Sequence, residues 1–337
     1  MRFGRLVSDP LPFTTVAVLG FGNQGEAQAL NLRDSGHRVL VGARPGLGAE
    51  ARARAHGFET LAPAEAARRA DLVAVLIPDE AVPEAWTTLL GALRPDVTLV
   101  FAHGFNLLYA GLEFPKGADV VLVSPTGPGS ALRLLFTRGQ GLPAYLAVHQ
   151  DGSGTAWRRA EAYAAGIGSA RARLWRTTVR EETEVDLFGE QAVLCGGMNA
   201  LVTAAFETLV ARGYAPEIAY LECVHQLKYL ADRLHARGVA GLRAEISGTA
   251  LYGDLTRGPR VIGEPVRAAM AAILEEIRSG AFAREWSKEV AAGRPRLGAA
   301  LERAAASPIE RARAAALGEE PGPDAEPGES RNALSKT

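Results

Sequence analysis

The chain has 337 residues, with 37 Lys and Arg against 38 Asp and Glu and a formal net charge of −1. This near-balance argues against a general nucleic-acid binder. Hydrophobic residues make up 47% of the chain, and its length suits two domains of ordinary size with a substantial core. No run of eighteen or more apolar residues occurs, so we expect no membrane-spanning helix.

Cysteine content and the N-terminal segment both indicate a cytoplasmic protein. The two cysteines, Cys195 and Cys223, are too few for a disulfide-dense scaffold. Residues 1–13 are too short and too interrupted for a secretory signal. We expect both cysteines to be buried as small apolar residues.

The first part of the chain alternates short β-like runs with helical patterns. Continuous Val, Leu and Ile runs predict buried strands at 14–20, 37–43, 71–78, 97–104 and 118–125. Helical patterns that end at glycine follow the first two of these runs, at 24–35 and 49–57. Strands that alternate with helices are typical of a parallel sheet covered on both faces. We therefore predict an α/β domain over residues 1–180.

From residue 181 onward the strand runs disappear. Helical patterns occupy most of this part, at 184–212, 216–237, 264–279 and 281–292. We predict an all-α domain over residues 181–317. Residues 318–337 are rich in Pro, Gly and charge and lack core residues, so we predict a disordered tail there.

A glycine-rich motif lies between the first predicted strand and the first predicted helix. It consists of Gly20, Phe21, Gly22, Asn23, Gln24 and Gly25, a G-x-G-x-x-G pattern in the context that gives it weight. Gly20 permits the tight turn, Gly22 lets the backbone approach a pyrophosphate, and Gly25 lets the helix lie close to the strand. The motif predicts a dinucleotide site.

The end of the second predicted strand distinguishes NADPH from NADH. No acidic residue stands there to bind a ribose 2′-hydroxyl, whereas Arg44 is well placed to pair with a 2′-phosphate. The sequence therefore favours NADPH. Glu50 either opposes the phosphate or binds the ribose, which leaves NADH open as well.

Acidic residues at helical spacing form a second candidate site. Asp186 and Glu190 are four residues apart and so share a helix face, and Glu222 and Gln226 repeat the spacing on the next predicted helix. Oxygen ligands of this kind suit Mg²⁺. An oxygen cluster built from two facing helices is feasible, although such pairs are commonly just solvated charges.

Several segments in one order resemble a known family, the short, class I form of ketol-acid reductoisomerase. The resemblance covers residues 14 to 315 and rests on GFGNQGEAQALNLRDSG, FAHGFN, SPTGPG, YAAGIG, EETEVDLFGEQAVLCGG, FETLVARGYAPEIAYLECVHQLK and SGTALYGD. It implies a Rossmann domain followed by a knotted helical domain. It also implies a small keto substrate, NADPH and Mg²⁺ ions, of which the family uses two, for alkyl migration followed by reduction. A homodimer, or a higher homo-oligomer, would complete the active site.

The resemblance also implies roles for individual residues. Asp186 resembles a bridging Mg²⁺ ligand and Glu190 a ligand of one metal. Glu222 resembles a ligand of the other metal that also faces the substrate, and Ser247 resembles a contact to the substrate carboxylate. His103 resembles the histidine beside the reacting centre. The resemblance implies that this residue both takes part in catalysis and binds the cofactor.

This chain departs from the family pattern at the chemistry. Thr126 stands where the family has an active-site lysine, and Gln226 replaces a metal-binding glutamate. Gly248 and Leu251 replace an Asn and a Glu near the substrate. We interpret Thr126 and Gln226 as the catalytic positions whose change weakens alkyl migration most, since migration needs two adjacent metals and a charged donor.

Three hypotheses follow from the sequence. The first is an NADPH- and Mg²⁺-dependent reductase of a 2-keto acid or hydroxyketone that has lost the isomerase step and serves a specialised pathway. The second is an ordinary ketol-acid reductoisomerase of branched-chain amino-acid biosynthesis. The third is a non-catalytic dinucleotide-binding scaffold, against which the retained acids Asp186, Glu190 and Glu222 argue.

Overall fold

The computed structural model describes residues 15–318. These residues fall into two compact units that divide between Thr183 and Glu184. The N-terminal segment over 1–13 and the predicted disorder of 319–337 lie outside the described residues.

The first unit is built on one eight-stranded sheet with the order β3-β2-β1-β4-β5-β6-β7-β8. All neighbouring strands are parallel except β6 and β7. The five strands predicted from sequence appear as β1, β2, β4, β5 and β6. The strands are β1 Thr15–Leu19, β2 Arg38–Gly42, β3 Glu59–Leu61, β4 Leu72–Val75, β5 Thr98–Phe101, β6 Asp119–Pro125, β7 Ala144–Asp151 and β8 Leu174–Arg176.

The expectation of a purely parallel sheet is wrong at β7, which pairs antiparallel with β6. Polar residues such as His149 and Gln150 interrupt the apolar pattern of β7, and the strand is only partly buried. A central parallel strand has no such interruption because both of its faces are covered. The mixed sheet therefore follows from a strand that lacks the continuous apolar run used to predict the others.

Helices cover both faces of this sheet. On one face the core includes Leu32 and Tyr163, and on the other it includes Trp86 and Leu89. The helices are α1 Asn23–Asp34, α2 Gly48–Ala55, α3 Pro63–Arg68, α4 Val82–Leu90, α5 Phe105–Tyr109, α6 Gly129–Thr137 and α7 Ala156–Gly166. The predicted α/β domain of the Rossmann type is confirmed.

The second unit contains helices and no strand within the described residues. Two π-helical segments, Glu190–Leu194 and Leu221–His225, interrupt what the sequence predicts as continuous helices. The helices are α8 Val179–Gly189, whose first turns belong to the first unit, α9 Gly196–Val210, α10 Pro216–Tyr220, α11 Gln226–Glu245, α12 Gly248–Val261, α13 Glu264–Arg278, α14 Ala281–Ala291, α15 Pro295–Ala305 and α16 Pro308–Leu317.

Much of the apolar surface of the second unit is not covered by its own chain. A small cluster around Phe206 and Tyr220 is buried, but a set of large side chains on α11 and α12 is 37–65% exposed. We call this set the apolar face: Leu227, Leu230, Leu234, Tyr252 and Leu255. A patch of this kind marks an interaction surface.

The cysteines also differ from expectation. Cys195 is exposed and Cys223 is only half-buried, so the prediction that both are buried is wrong for the single chain. Both lie in or beside the π-helical segments, in the part of the molecule whose apolar residues are largely uncovered. Burial raises the pKa of the Cys223 thiol, and the neighbouring Glu222 carboxylate adds to this shift.

One helical run, Val179–Val210, is long and apolar enough to cross a membrane by length and composition alone. This differs from the sequence expectation, which was based on the absence of an uninterrupted apolar run. Only 6% of its most apolar window is buried. The exposed Glu190 lies within the run, and a charged side chain within a bilayer is costly.

We predict that Asp119→Ala strongly destabilises the first unit. The Asp119 carboxylate is fully buried, lies 3.0 Å from the Arg159 guanidinium, and accepts hydrogen bonds from the backbone N–H and hydroxyl of Ser153 at 2.9 and 2.6 Å. Removing one partner of a buried pair leaves the other charge uncompensated, so unfolding in urea should show a loss of about 3 kcal/mol.

The matched control is Asp96→Ala, because the Asp96 side chain is 71% exposed and lies 3.4 Å from Arg94. An exposed pair contributes less than about 1 kcal/mol. Equal losses in the two variants would contradict a structural role for the Asp119 network.

Candidate active site

The predicted site residues of the first unit lie at one edge of its sheet. In a parallel sheet, ligands bind outside the carboxyl ends of the strands. Five candidate side chains or turns follow neighbouring strands at this edge: Gly20 after β1, Arg44 after β2, Asp79 after β4, His103 after β5 and Thr126 after β6.

The glycine-rich turn has the geometry that a dinucleotide requires. Gly20 has a φ of +93°, and a Cβ there would lie 2.7 Å from the carbonyl oxygen of Leu76. A Cβ on Gly25 would overlap the carbonyl of Gly20, so only glycine lets α1 begin this close to β1. No heavy atom would lie within 4 Å of a Cβ built on Gly22, which leaves room for a phosphate.

The side chains of Asn23 and Gln24 bind the loop that follows β6. The Asn23 Oδ1 accepts the backbone N–H of Gly129 at 2.5 Å, and the Gln24 Nε2 donates to the carbonyl of Gly127 at 2.9 Å. Two motif residues predicted as cofactor contacts thus also hold the loop that carries Thr126.

A buried hydrogen-bond chain supports Gln24 from behind. The Tyr163 hydroxyl donates to the Gln28 Oε1 at 2.7 Å, and the Gln28 Nε2 donates to the Gln24 Oε1 at 3.0 Å. Complete burial raises the pKa of Tyr163, so its hydroxyl stays a donor at any physiological pH. The chain fixes the amide of Gln24 with its nitrogen towards the loop.

His103 is held by a carboxylate from the neighbouring strand end. Its Nδ1 lies 3.0 Å from the Asp79 Oδ2, and the Asn106 Nδ2 donates to the Asp79 Oδ1 at 2.8 Å and to the Asp79 carbonyl at 3.1 Å. Asn106 is almost completely buried, so the amide fixes Asp79 and Asp79 in turn orients the imidazole.

A buried carboxylate lies close to His103. Glu182, on α8, is 1% exposed, and its Oε2 accepts the backbone N–H of Gly104 at 3.1 Å. His103 and Glu182 place possible ligand atoms within 4.8 Å of each other. Asp186 follows Glu182 by one turn of the same helix.

The remaining acids lie at the π-helical segments of the second unit. Glu190 begins the first segment and Glu222 lies in the second, and both are exposed, as is Gln226 at the start of α11. Asp186, Glu190 and Glu222 do not form a three-ligand cluster within the described residues. The oxygen cluster from two facing helices that the sequence suggests is therefore absent from the single described chain.

Ser247 and Thr126 have local structural partners. The Ser247 hydroxyl caps α12 by accepting the N–H of Ala250 at 3.3 Å. The Thr126 hydroxyl and backbone N–H both donate to the carbonyl of Pro143, at 3.0 and 2.8 Å. The position of the family's lysine therefore carries a neutral hydroxyl that is bound to backbone.

Sequence analysis missed three residues of this site: Asp79, Asn106 and Glu182. Asp79 follows β4 at the carboxyl end of a central parallel strand, and that position was the available signal. Asn106 and Glu182 carry no comparable signal, because their importance comes from burial and contacts that only the fold creates.

Two family models together match nearly the whole described chain. Residues 11–173 match "Acetohydroxy acid isomeroreductase, NADPH-binding domain". Residues 179–317 match "Ketol-acid reductoisomerase, C-terminal domain". The chain belongs to the ketol-acid reductoisomerase family. It is an NAD(P)H-dependent oxidoreductase of this family, as the sequence predicted.

Solved structures agree with this family assignment. The chain is similar to an NADH-preferring ketol-acid reductoisomerase from an uncultured archean, with 38% identity, coverage of 89% of this chain and 93% of that one, and a TM-score of 0.87. A semialdehyde dehydrogenase NAD-binding protein from Cupriavidus necator shares the fold at 20% identity, 79% and 99% coverage, and a TM-score of 0.59. A 1-pyrroline-5-carboxylate reductase from Streptococcus pyogenes shares it at 15% identity, 79% and 98% coverage, and 0.52.

We predict that Asp79→Asn slows this ketol-acid reductoisomerase relative without weakening its cofactor binding. The amide removes the charge that orients the ring of His103, and loss of such an orienting partner costs about tenfold to a hundredfold in activity. Turnover with a keto substrate should fall by this amount, while the dissociation constant of NADPH, measured by its fluorescence, stays unchanged.

Glu84→Gln is the control, since Glu84 is an exposed acid on the following helix. It should leave turnover unaltered. If Asp79→Asn and Glu84→Gln behave alike, Asp79 does not position His103.

Proposed function

We propose that the chain is an Mg²⁺-dependent reductase of a 2-keto acid or hydroxyketone that has lost the alkyl-migration step. The observation that carries this proposal is the environment of Thr126. Its hydroxyl is bound to the carbonyl of Pro143, so the loop offers neither a cation nor an uncommitted proton at the position of the family's lysine. Gln226 likewise supplies a neutral amide in place of a carboxylate.

The two chemical steps differ in what they need. Migration breaks one carbon–carbon bond and forms another while negative charge moves between two oxygens, so it needs two adjacent cations and a charged donor. Reduction transfers a hydride to a carbonyl carbon and a proton to its oxygen. It needs an oriented nicotinamide, one cation and a proton source. The absence of charge at Thr126 and Gln226 therefore affects migration more than reduction.

The residues that serve reduction are retained in this chain. The turn at Gly20 and Gly25 positions the dinucleotide at the strand ends, where the carboxylate of Asp79 orients His103. His103 is the group we propose to hold or transfer the proton beside the substrate carbonyl. Its ring is 22% exposed, which limits competition from water.

Asp186 and Glu190 are the residues that would hold Mg²⁺. Both are carboxylates on one turn of helix, the hard oxygen donors that this ion prefers. The ion supplies a Lewis acid that polarises the substrate oxygen. Gln226 in place of a carboxylate lowers the negative charge at a second metal position, which is consistent with one ion rather than two.

We further propose that a second copy of the chain completes the site in a soluble, cytoplasmic homodimer. The single chain does not bring Glu222 into a cluster with Asp186 and Glu190. Gln226 begins α11, Glu222 lies in the π-helical segment that precedes it, and Ser247 caps α12, so a partner that covers the apolar face on these two helices would come close to all three polar residues. A protein partner also accounts for the exposed apolar run Val179–Val210 without a membrane. A knotted helical domain remains a prediction of the family resemblance.

A mixing experiment tests whether two copies share the site. Asp186→Ala and Glu222→Ala should each abolish turnover, and coexpression of the two variants should restore part of it, because a mixed dimer contains one intact site. Sedimentation should show that both variants remain dimers. If both variants are dimeric and inactive and coexpression restores no activity, the whole site lies within one chain.

An ordinary ketol-acid reductoisomerase is the competing function, and the similarity to such an enzyme over both domains favours it. Two substrates separate the functions. 2-Acetolactate requires migration and then reduction, whereas 3-hydroxy-3-methyl-2-oxobutyrate requires reduction only. We expect NADPH oxidation with the second substrate and turnover at least about a hundredfold slower with the first, the typical cost of one missing charged donor.

Restoring the family residues should restore migration. We predict that the double variant Thr126→Lys with Gln226→Glu turns over 2-acetolactate about a hundredfold faster than the unchanged chain. Thr137→Lys with Gln226→Glu is the control, since Thr137 is an exposed threonine whose hydroxyl also donates to a backbone carbonyl, that of Leu134. Rapid turnover of 2-acetolactate by the unchanged chain would refute the loss of migration.

A further inference from the structure

The hydrogen-bond chain that links Tyr163 to the loop after β6 can run in one direction only. It ends on the carbonyl of Gly127, which accepts and cannot donate, at 2.9 Å from the Gln24 Nε2. The Gln24 Oε1 must then accept from the Gln28 Nε2 at 3.0 Å, and the Gln28 Oε1 accepts from the Tyr163 hydroxyl at 2.7 Å. The direction of the whole chain therefore depends on one donor, the hydroxyl of Tyr163.

The buried position of this donor makes its removal costly. Tyr163 on α7 and Gln28 on α1 are both fully buried. Without the hydroxyl, the Gln28 Oε1 is a buried acceptor that has lost its donor, which is unfavourable. If the Gln28 amide turns over, the Gln24 amide must turn as well, and its oxygen then faces the carbonyl oxygen of Gly127. Both arrangements weaken the link between α1 and the loop.

The helices on either side of the loop are anchored without this chain. Arg133, in the middle of α6, donates to the Asn31 Oδ1 at 2.9 Å and lies 2.7 Å from the Asp34 carboxylate, both on α1. The glycine-rich turn is held by the close contact between α1 and β1. Loss of the Tyr163 hydroxyl should therefore displace the loop over 125–128 and leave both helices and the turn in place.

The loop lies at the edge of the sheet where the reacting end of a dinucleotide is expected. Strands β1, β4, β5 and β6 are successive neighbours in the sheet, and a dinucleotide bound at the start of α1 lies along their carboxyl ends. The loop after β6 is therefore next to the turn after β5 that carries His103. A displacement of about 1 Å beside the reacting atoms can cost about a hundredfold in rate.

We propose that Tyr163 is a positioning residue for hydride transfer. Its hydroxyl sets the orientation of Gln28 and Gln24, and through them it holds the loop after β6 against the dinucleotide turn. Tyr163 acts from the opposite side of α1, through these two amides. The inference concerns hydride transfer, a step that both candidate functions include, so it holds whether or not the enzyme has lost alkyl migration.

Kinetics of the variant Tyr163→Phe, which loses the hydroxyl and keeps the ring, test this proposal. The probe reaction is the reduction of 3-hydroxy-3-methyl-2-oxobutyrate with Mg²⁺ and NADPH. We expect kcat to fall by about tenfold, because the loop no longer holds its position. The primary isotope effect with 4-deuterated NADPH should rise, since hydride transfer becomes slower relative to the other steps. The dissociation constant of NADPH should stay unchanged.

Hydrogen exchange of the intact protein measures the loop itself and needs no turnover. Tyr163→Phe should speed exchange of the backbone amides over 125–132 by about tenfold, since local opening of this segment becomes easier. Exchange in α1 and α7 should stay unchanged. If the unchanged chain does not reduce the probe substrate, the proposed function fails, and the exchange result still decides the role of Tyr163.

Two further variants separate positioning from a general loss of stability. Ser153→Ala also removes a hydroxyl donor, which binds Asp119 at 2.6 Å where β6 begins, at the opposite edge of the sheet. It should change neither kcat nor the isotope effect. Gln28→Met breaks the chain at its middle and should match Tyr163→Phe. The double variant should be no slower than either single variant, because both act through one chain.

Four results would overturn the proposal. Equal kinetic changes in Tyr163→Phe and Ser153→Ala would show an effect of stability alone. Losses that multiply in the double variant would show that Tyr163 and Gln28 act separately. A dissociation constant of NADPH that rises as much as kcat falls would limit Tyr163 to cofactor binding. Unchanged exchange over 125–132 would show that the hydroxyl does not hold the loop.

Discussion

The candidate site depends on the close approach of the start of α1 to the glycine-rich turn and to the loop after β6. Gly25 lets α1 begin against the carbonyl of Gly20, and Asn23 and Gln24 then reach the loop after β6. The dinucleotide turn and the loop that carries Thr126 are therefore one hydrogen-bonded structure. A side chain at Gly25 would push the helix away from both, so the glycine-rich turn and the loop after β6 cannot vary independently.

Under the proposed function, the replacements at Thr126 and Gln226 alter the chemistry and leave the scaffold intact. Thr126 occupies the loop by binding the carbonyl of Pro143, so the loop keeps its shape although it lacks the family's lysine. The orientation of His103 by Asp79 and Asn106 is a separate network at adjacent strand ends. Under the proposed function, hydride transfer would depend on these retained parts, whereas alkyl migration would depend on charges that Thr126 and Gln226 do not supply.

The helical unit follows a different rule. Two of its candidate acids, Glu190 and Glu222, lie in π-helical segments, which are frequent at functional sites. Several of its large apolar side chains remain uncovered within the single chain, which favours association with another surface. The proposed homodimer would account for both features, since a partner would cover the apolar face and complete the set of carboxylates.

The sequence by itself determined the Rossmann-type sheet, the glycine-rich turn and the family. These features depend on local patterns: apolar runs of strand length, glycines at fixed spacing, and segments such as DLFGEQAVLCGG. Only the tertiary structure decided the antiparallel strand β7, the orientation of His103 by Asp79, and the binding of Glu50 to Gly46. Strand β7 could not be predicted because polar residues interrupt its apolar pattern. The contact between His103 and Asp79 could not be predicted because it joins residues that follow two different strands. The sequence shows that Glu50 follows Gly46 by four residues, but the direction of the Glu50 carboxylate depends on the left-handed turn at Gly46.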